Sequence, residues 1–134
     1  MFSKKPANAN QGRIDSLIGS GTTIEGNITF TGGLRIDGEL KGNIRAVDGE
    51  SATLVISEQA RVEGEIDVTH VVVNGTVIGP VSCAEQLELQ PRARVAGDVS
   101  YNTLEMHVGA VVEGRLIHRA GIGKTVELKL ASSS

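Results

Sequence analysis

From Leu17 to His118 the chain alternates aliphatic and polar residues in short runs that glycines interrupt. The alternation is clearest in "LVI" at 54–56 and "LEL" at 87–89, and β-branched residues are frequent throughout. A period of two with β-branched side chains is typical of strands. No stretch of about ten residues combines helical apolar spacing with helix caps. The sequence therefore predicts an all-β chain.

A repeated unit, aliphatic-x-Gly-x-aliphatic, runs through the same region. The glycines, one per unit, recur about every 18 residues, which predicts a β-helix with three short strands and three corners per winding and about six windings. Glycine suits the corners, where the chain needs a positive φ or a close backbone approach. The longest step contains "AVDGESATL", which predicts a short inserted surface loop. The repeated glycines are Gly26, Gly42, Gly64, Gly79, Gly97 and Gly114.

Other solenoid patterns fit less well. The left-handed hexapeptide β-helix of acyltransferases requires an aliphatic residue at every sixth position, and this chain does not keep that period. The calcium-binding nonapeptide repeat requires Gly-Gly-x-Gly-x-Asp, which "GGLRIDG" does not supply. We therefore divide the chain into a flexible tail at 1–16, a β-helix at 17–118 and a flexible tail at 119–134. In the last segment "TVELKL" alternates, so a cap on the β-helix is an alternative there.

Composition excludes several classes of function. The net charge is −3, and Phe2, Phe30 and Tyr101 are the aromatic residues, so the chain lacks the basic and stacking surface of a nucleic-acid-binding protein. The single cysteine, Cys83, lies in an alternating apolar context and is interpreted as a small core residue. No apolar run approaches the ~20 residues of a membrane span. "MFSKKPANAN" lacks the apolar core of a signal peptide, so export is not expected.

Catalytic and cofactor motifs are weak. "GIGKT" at 121–125 lacks the first glycine of a phosphate loop and a following helix pattern. His70, His107 and His118 have no cysteine or carboxylate partners at zinc-site spacing and are interpreted as ordinary surface or half-buried side chains. Acidic residues beside the glycines could stack into a carboxylate column, but Lys41 and Arg115 occupy similar positions, which favours a solvated outer face. We predict no enzyme, metal or cofactor.

The opening stretch "LIGSGTTIEGNITFTGGLRIDGELKGNI" and the closing "GAVVEGRL" resemble the bactofilin family of bacterial cytoskeletal proteins. The resemblance implies a right-handed, three-sided parallel β-helix that stacks by like ends into non-polar filaments without nucleotide. It further implies a scaffold at the cytoplasmic face of the membrane that positions cell-shape or cell-wall-synthesis factors, with cell-wall or polarity proteins as partners. Several relatives carry an aromatic residue in the end contact, where this chain has Val112. The alternatives are a β-helical acyltransferase or polysaccharide-acting enzyme, and a monomeric partner-binding module.

Physical reasoning also predicts end-to-end assembly. A β-helix has no free edges along its sides, but its two ends expose unpaired backbone groups and an apolar cross-section. Solenoids need polar caps to stay soluble as monomers, and no amphipathic capping helix is evident in the sequence. The residues predicted at these two ends, and hence in the polymerisation interface, are Leu17, Ile18, Ile24, Ile28, Leu104, Met106, Val111, Val112 and Leu116.

The N-terminal "MFSKK" is similar to the membrane-targeting start of some bactofilins, which assigns this role to Met1, Phe2, Lys4 and Lys5. Insertion of Phe2 into a bilayer interface would contribute roughly 1.5–3 kcal/mol. Each lysine would add about 1 kcal/mol against anionic lipid. A monomer would therefore bind weakly, whereas a filament with many tails would bind firmly. The alternative is an ordinary disordered start.

Overall fold

A computed structural model describes residues 14–119, and these residues form short parallel β-strands. Within them there is no helix long and apolar enough to cross a membrane. The strands in chain order are β1 (Ser16–Ile18), β2 (Thr23–Glu25), β3 (Ile28–Phe30), β4 (Gly32–Ile36), β5 (Glu39–Lys41), β6 (Ile44–Ala46), β7 (Ala52–Ile56), β8 (Arg61–Glu63), β9 (Ile66–Val73), β10 (Thr76–Ile78), β11 (Val81–Leu89), β12 (Arg94–Ala96), β13 (Val99–Tyr101), β14 (Thr103–Met106), β15 (Val111–Glu113) and β16 (Leu116–His118).

The strands wind into a three-sided β-helix. Face A contains β1, β4, β7, residues 70–73 of β9, residues 86–89 of β11 and β14. Face B contains β2, β5, β8, β10, β12 and β15. Face C contains β3, β6, residues 66–68 of β9, residues 81–83 of β11, β13 and β16. Each face therefore holds six stacked segments, which confirms the predicted all-β solenoid of about six windings.

The core consists of aliphatic columns that run along the helix axis. Because successive windings pair in register, each inward residue lies above the inward residue of the preceding winding. Leu34, Ile36, Leu40 and Ile44, which the alternation placed inside, are all buried. The largest fully buried side chains of the described region are Ile, Leu and Val, so thin aliphatic layers replace the aromatic core usual in globular domains. The face B column is Ile24, Leu40, Val62, Val77, Val95 and Val112.

The six repeated glycines stack at the corner between faces B and C. All have positive φ, for example +155° at Gly42 and +150° at Gly64. The Gly42 N–H donates to the carbonyl of Glu63 in the next winding at 2.9 Å. A Cβ at Gly64 would overlap the carbonyl oxygen of Gly42, and the later glycines of the column stand in the same relation to their predecessors. Both reasons for glycine at a corner, conformation and close approach, are confirmed here.

The insertion also lies where the spacing predicted it. Residues 47–51 form an exposed connection between β6 and β7, closed by a hydrogen bond from the N–H of Glu50 to the carbonyl of Val47 at 3.0 Å. The register of the flanking windings continues across it, since Leu34 pairs with Leu54 and Ile44 pairs with Ile66. A surface loop therefore lengthens one winding without disturbing the stack.

Candidate polymerisation surfaces

At the N-terminal end, the first winding leaves core side chains half covered. Ile24 and Ile28 are half-buried, whereas their successors in the stack, Leu40 and Ile44, are fully buried. Ile18 lies inside the core. The neighbouring Leu17 is 60% exposed because it pairs with Arg35 on the outward side of face A. The end surface thus contains Ile18, Ile24 and Ile28, and Leu17 borders it from outside. Half-buried Phe30 also belongs to this winding and was missed by sequence reasoning.

At the C-terminal end, exposure of the inward columns rises sharply. Met106 is 43% exposed above a fully buried Leu89, and Leu116 is 45% exposed above a fully buried Val99. The half-buried Leu104 and Val112 also belong to the inward columns of this last winding. These four predicted residues therefore share one apolar end surface.

Two other apolar residues extend this end. Val111 pairs with Arg94, so it lies on the outward side of face B at the rim of the end surface. Val108 is 97% exposed in the turn between β14 and β15. Sequence reasoning missed Val108, because a turn residue lies outside the alternation on which the prediction was based. The sequence feature that could have indicated Val108 is an apolar residue before Gly109 in "MHVGA", where a polar residue would be usual.

Backbone pairing is incomplete at both ends. Within residues 14–119, β1, β2 and β3 pair only with the second winding, and β14, β15 and β16 pair only with the fifth. Each end of the described region therefore presents strand edges together with apolar side chains. Unpaired strand edges of this kind are templates for association with another chain.

The predicted membrane-targeting residues lie outside the described residues. Met1, Phe2, Lys4 and Lys5 precede residue 14, and "GIGKT" and "TVELKL" follow residue 119. Their roles therefore stay predictions.

On the outer surface of face B, opposite charges alternate rather than form a carboxylate column. Arg61 stacks on Glu39 and also pairs with Glu63 at 2.8 Å. At the corner with face C, Arg115 binds Asp98 at 2.9 Å, and this hydrogen bond lowers the pKa of the Asp98 carboxyl and raises that of the guanidinium. The mixed-sign outer face predicted from Lys41 and Arg115 is confirmed at these positions. Alternation avoids the repulsion of stacked like charges.

Face A contains an exception, where half-buried His107 has carboxylate partners that the spacing did not indicate. Stacking places Glu88 directly below Glu105, and His107 Nε2 lies 3.0 Å from a Glu88 oxygen and 3.4 Å from a Glu105 oxygen. Spacing along the chain had indicated no carboxylate partner at zinc-site spacing, because Glu88 is 19 residues away in the preceding winding and Glu105 is only two residues before His107. The three donor atoms, one from each side chain, lie within 4.8 Å of one another. Two carboxylates and an imidazole at this separation could hold a divalent cation. Exposed acidic groups of this kind are common without a bound ion, so the geometry alone does not define a metal site.

The other two histidines have different surroundings. His70 Nε2 lies 3.4 Å from Glu85, and its Nδ1 is buried without a hydrogen-bond partner among the described residues. The His118 ring is tilted against Tyr101 with the ring centres 5.9 Å apart. Neither arrangement pairs a nucleophile with a base.

Cys83 is a core residue, as its context predicted. Its Sγ donates to the carbonyls of Gln86 at 2.8 Å and Thr69 at 3.1 Å, where β11 turns from face C to face A. The side chain is fully buried, and burial raises the pKa of the thiol from 9.0 to about 11. A reactive cysteine needs the opposite shift, since the thiolate is the nucleophile.

The raised pKa of the Cys83 thiol predicts that the stability of the protein depends on pH. Between pH 9 and about 11 the unfolded chain releases the Cys83 proton while the folded chain retains it, so the free energy of unfolding falls as pH rises through this interval. Relative to Cys83→Ala, the wild type should lose about 1–2 kcal/mol across the interval. Urea unfolding of both proteins over this pH range measures the difference between their free energies of unfolding. The lysines and the tyrosine are common to both proteins, so their contributions cancel in that difference. A constant difference would contradict the burial of the thiol.

Comparison with known proteins agrees with this geometry. The sequence profile of the bactofilin family, described as polymer-forming and cytoskeletal, matches residues 16–117. The chain belongs to the bactofilin family. A similar family member, bactofilin BacO of Myxococcus xanthus (strain DK1622), is 28% identical over 102 residues, which cover 76% of this chain and 78% of that protein. No solved structure matches the chain at a significant level. The bactofilin match spans all six windings, so this is a polymer-forming cytoskeletal protein.

Proposed function

We propose that this chain is a scaffold that assembles without nucleotide into non-polar filaments at the cytoplasmic face of the membrane and positions cell-shape or cell-wall-synthesis factors. The observation that carries the assembly step is the exposed core at both ends of the described β-helix. The inward columns are closed through the middle windings and open at the first and the last. Contact with another copy would bury these apolar ends.

Stacking of like ends is the arrangement that fits the chemistry. The C-terminal end has exposed Met106 and Leu116, and the N-terminal end has half-buried Ile24, Ile28 and Phe30. A two-fold contact brings each apolar end onto the same end of another copy, so residue i of one subunit meets residue j of the other and j meets i. A filament in which two different two-fold junctions alternate has no overall direction, so it is non-polar. Apolar burial supplies the free energy, so no nucleotide hydrolysis is required.

Electron microscopy of purified protein in nucleotide-free buffer tests this proposal. Filaments without added nucleotide are the expected result. A strictly monomeric species at high protein concentration would exclude filament assembly and would favour a partner-binding module. Assays with acyl donors and polysaccharides on the same preparation address the enzymatic alternatives, and no turnover is expected.

We propose that the N-terminal tails attach the filament to the membrane through avidity. Roughly 1.5–3 kcal/mol from one phenylalanine and about 1 kcal/mol from each lysine leave a single tail weakly bound. In a filament, each bound tail raises the effective concentration of its neighbours at the bilayer, so the polymer attaches firmly although the monomer binds weakly. The same multiplicity would let one filament hold many copies of a client protein, which is the basis of the proposed scaffold role.

Deletion of residues 1–5 is expected to reduce cosedimentation of filaments with anionic liposomes by at least about 10-fold, because each tail loses its apolar and basic groups. Filament length should be unchanged in micrographs of the same samples. A chain with Lys41→Ser, which removes a lysine from the outer surface of face B, serves as the control for a general charge effect. Full liposome binding by the deletion variant would show that the N-terminal segment is not the anchor.

A further inference from the structure

Face A is the widest of the three sides. Its strands β4 and β7 have five residues each, whereas the strands of face B have three. The middle outward position of each winding forms a column along the helix axis. In order from the first winding to the last, this column is Leu17, Arg35, Val55, Val72, Glu88 and Glu105.

The column is basic near one end, apolar in the middle and acidic at the other end. Arg35 is exposed, Val55 and Val72 are partly exposed, and the stacked Glu88 and Glu105 form a concentrated negative region. Arg35 uses Nε to bind Asp37 at 2.9 Å. A guanidinium has five N–H donors, so the same side chain can also bind a carboxylate of another copy.

This order is self-complementary when two copies meet face to face with their helix axes antiparallel. The second winding then lies opposite the fifth, and the third lies opposite the fourth. Arg35 of each copy meets Glu88 of the other, and Val55 meets Val72 at the centre. We propose that face A is a lateral docking surface for a second copy of this chain, packed antiparallel in this register.

The other two sides fit this operation less well. On face B it places Glu39 opposite Arg94, but it also places Glu25 opposite Glu113, two like charges. On face C it places Arg45 opposite Ser100, with no opposite charge to meet. Face A is therefore the side where opposite charges meet on either side of an apolar centre and no like charges come together.

The area limits how strongly one pair can bind. A five-residue strand is about 17 Å long and six windings span about 29 Å, so each copy contributes on the order of 500 Å². The two copies together bury about 1,000 Å², below the roughly 1,200–2,000 Å² of a stable pair. Single subunits should therefore not associate laterally, whereas filaments repeat the contact many times and should do so firmly.

This inference rests on the proposed non-polar filament. Where successive subunits alternate in direction and present face A on the same side of the filament, a neighbouring filament shifted by one subunit presents an antiparallel partner to every subunit. Face A contacts then join filaments into pairs or sheets. Filament length reports the end contacts and filament width reports face A, so failure of either proposal can be recognised separately.

The test is a charge exchange in the full chain. Arg35→Glu and Glu88→Arg, each alone, should convert paired or bundled filaments into single filaments of unchanged length. The double variant Arg35→Glu with Glu88→Arg should restore the wild-type width, because the exchanged charges again meet across the interface. Arg45→Glu on face C is the matched control and should leave width unchanged. Raising the salt from about 50 mM to about 1 M, where the screening length is about 3 Å, should narrow wild-type bundles.

Two results would overturn the proposal. Wild-type filaments that stay single at low salt would show that face A does not bind another copy, whether it is free or covered by a tail. Bundles that keep their width in both single variants would show that lateral contacts use a different side of the β-helix.

Discussion

Replacement of Val112 by arginine is expected to stop filament growth and leave short soluble species. Val112 is the last residue of the face B core column, and in the proposed like-end contact it is covered by another copy. Loss of one such aliphatic contact costs about 1.5–3 kcal/mol, and a two-fold junction contains two copies of it. The critical concentration should therefore rise on the order of 100-fold or more. Sedimentation at several protein concentrations measures it, and micrographs show the remaining species.

A matched control separates the end contact from a general effect of charge. Ile78→Arg places the same side chain on the outer surface of face B at mid-length, where Ile78 is 39% exposed and stacks between Glu63 and Ala96. It should polymerise like the wild type. Leu116→Ser, a milder change at the 45% exposed end residue, should also weaken assembly if Val112→Arg acts through the interface rather than by disrupting the last winding. Wild-type filaments from Val112→Arg would place the C-terminal junction elsewhere.

Gly64→Ala is expected to destabilise the β-helix strongly, although it adds only one methyl group. A Cβ at this corner would overlap the carbonyl oxygen of Gly42, and the residue has a φ of +150° that side chains rarely adopt. Backbone strain costs about 1–3 kcal/mol, and separation of two windings to relieve the overlap adds to it. We expect a total of at least about 3–4 kcal/mol and a midpoint of thermal unfolding lower by on the order of 10 °C or more. Circular dichroism melts of the two proteins provide the comparison.

Substitutions at two other glycines separate the cost of the backbone conformation from the cost of the steric overlap between windings. Gly26→Ala changes the same column in the first winding, where φ is +139° but a Cβ would have nothing within 4 Å. Gly49→Ala changes the surface loop, where φ is +79° and the space is again open. Both should cost only the conformational strain of about 1–3 kcal/mol. Equal destabilisation by all three substitutions would mean that close stacking of windings is not what requires glycine at position 64.

The repeat could be recognised in the sequence because every winding packs against the same core and turns at the same corners. Gly42 and Gly64 fall at a fixed corner, and aliphatic residues such as Leu40 and Val62 fall two positions before them. Parallel in-register pairing then requires similar side chains at equivalent positions. The end residues followed from the same logic, since a core column without caps must be open in its first and last windings.

What the sequence did not show was which side chains meet between windings. His107 contacts Glu88 across 19 residues, and Leu17 and Val111 lie outside rather than within the core columns. These placements depend on the exact number of residues in each winding. That number varies with the loop at 47–51 and with the turns at the other corners, and a local pattern does not reveal it.

The sequence by itself determined the fold class, the number of windings, the glycine corner and the aliphatic core, because these arise from local alternation repeated at a nearly constant interval. Only the tertiary structure decided the register, and with it every contact between residues of different windings. The self-complementary column from Arg35 to Glu88 on face A is one such consequence. Side chains about 18 residues apart become neighbours in a β-helix because each winding pairs its backbone with the next, and the lateral chemistry of the filament depends on that pairing.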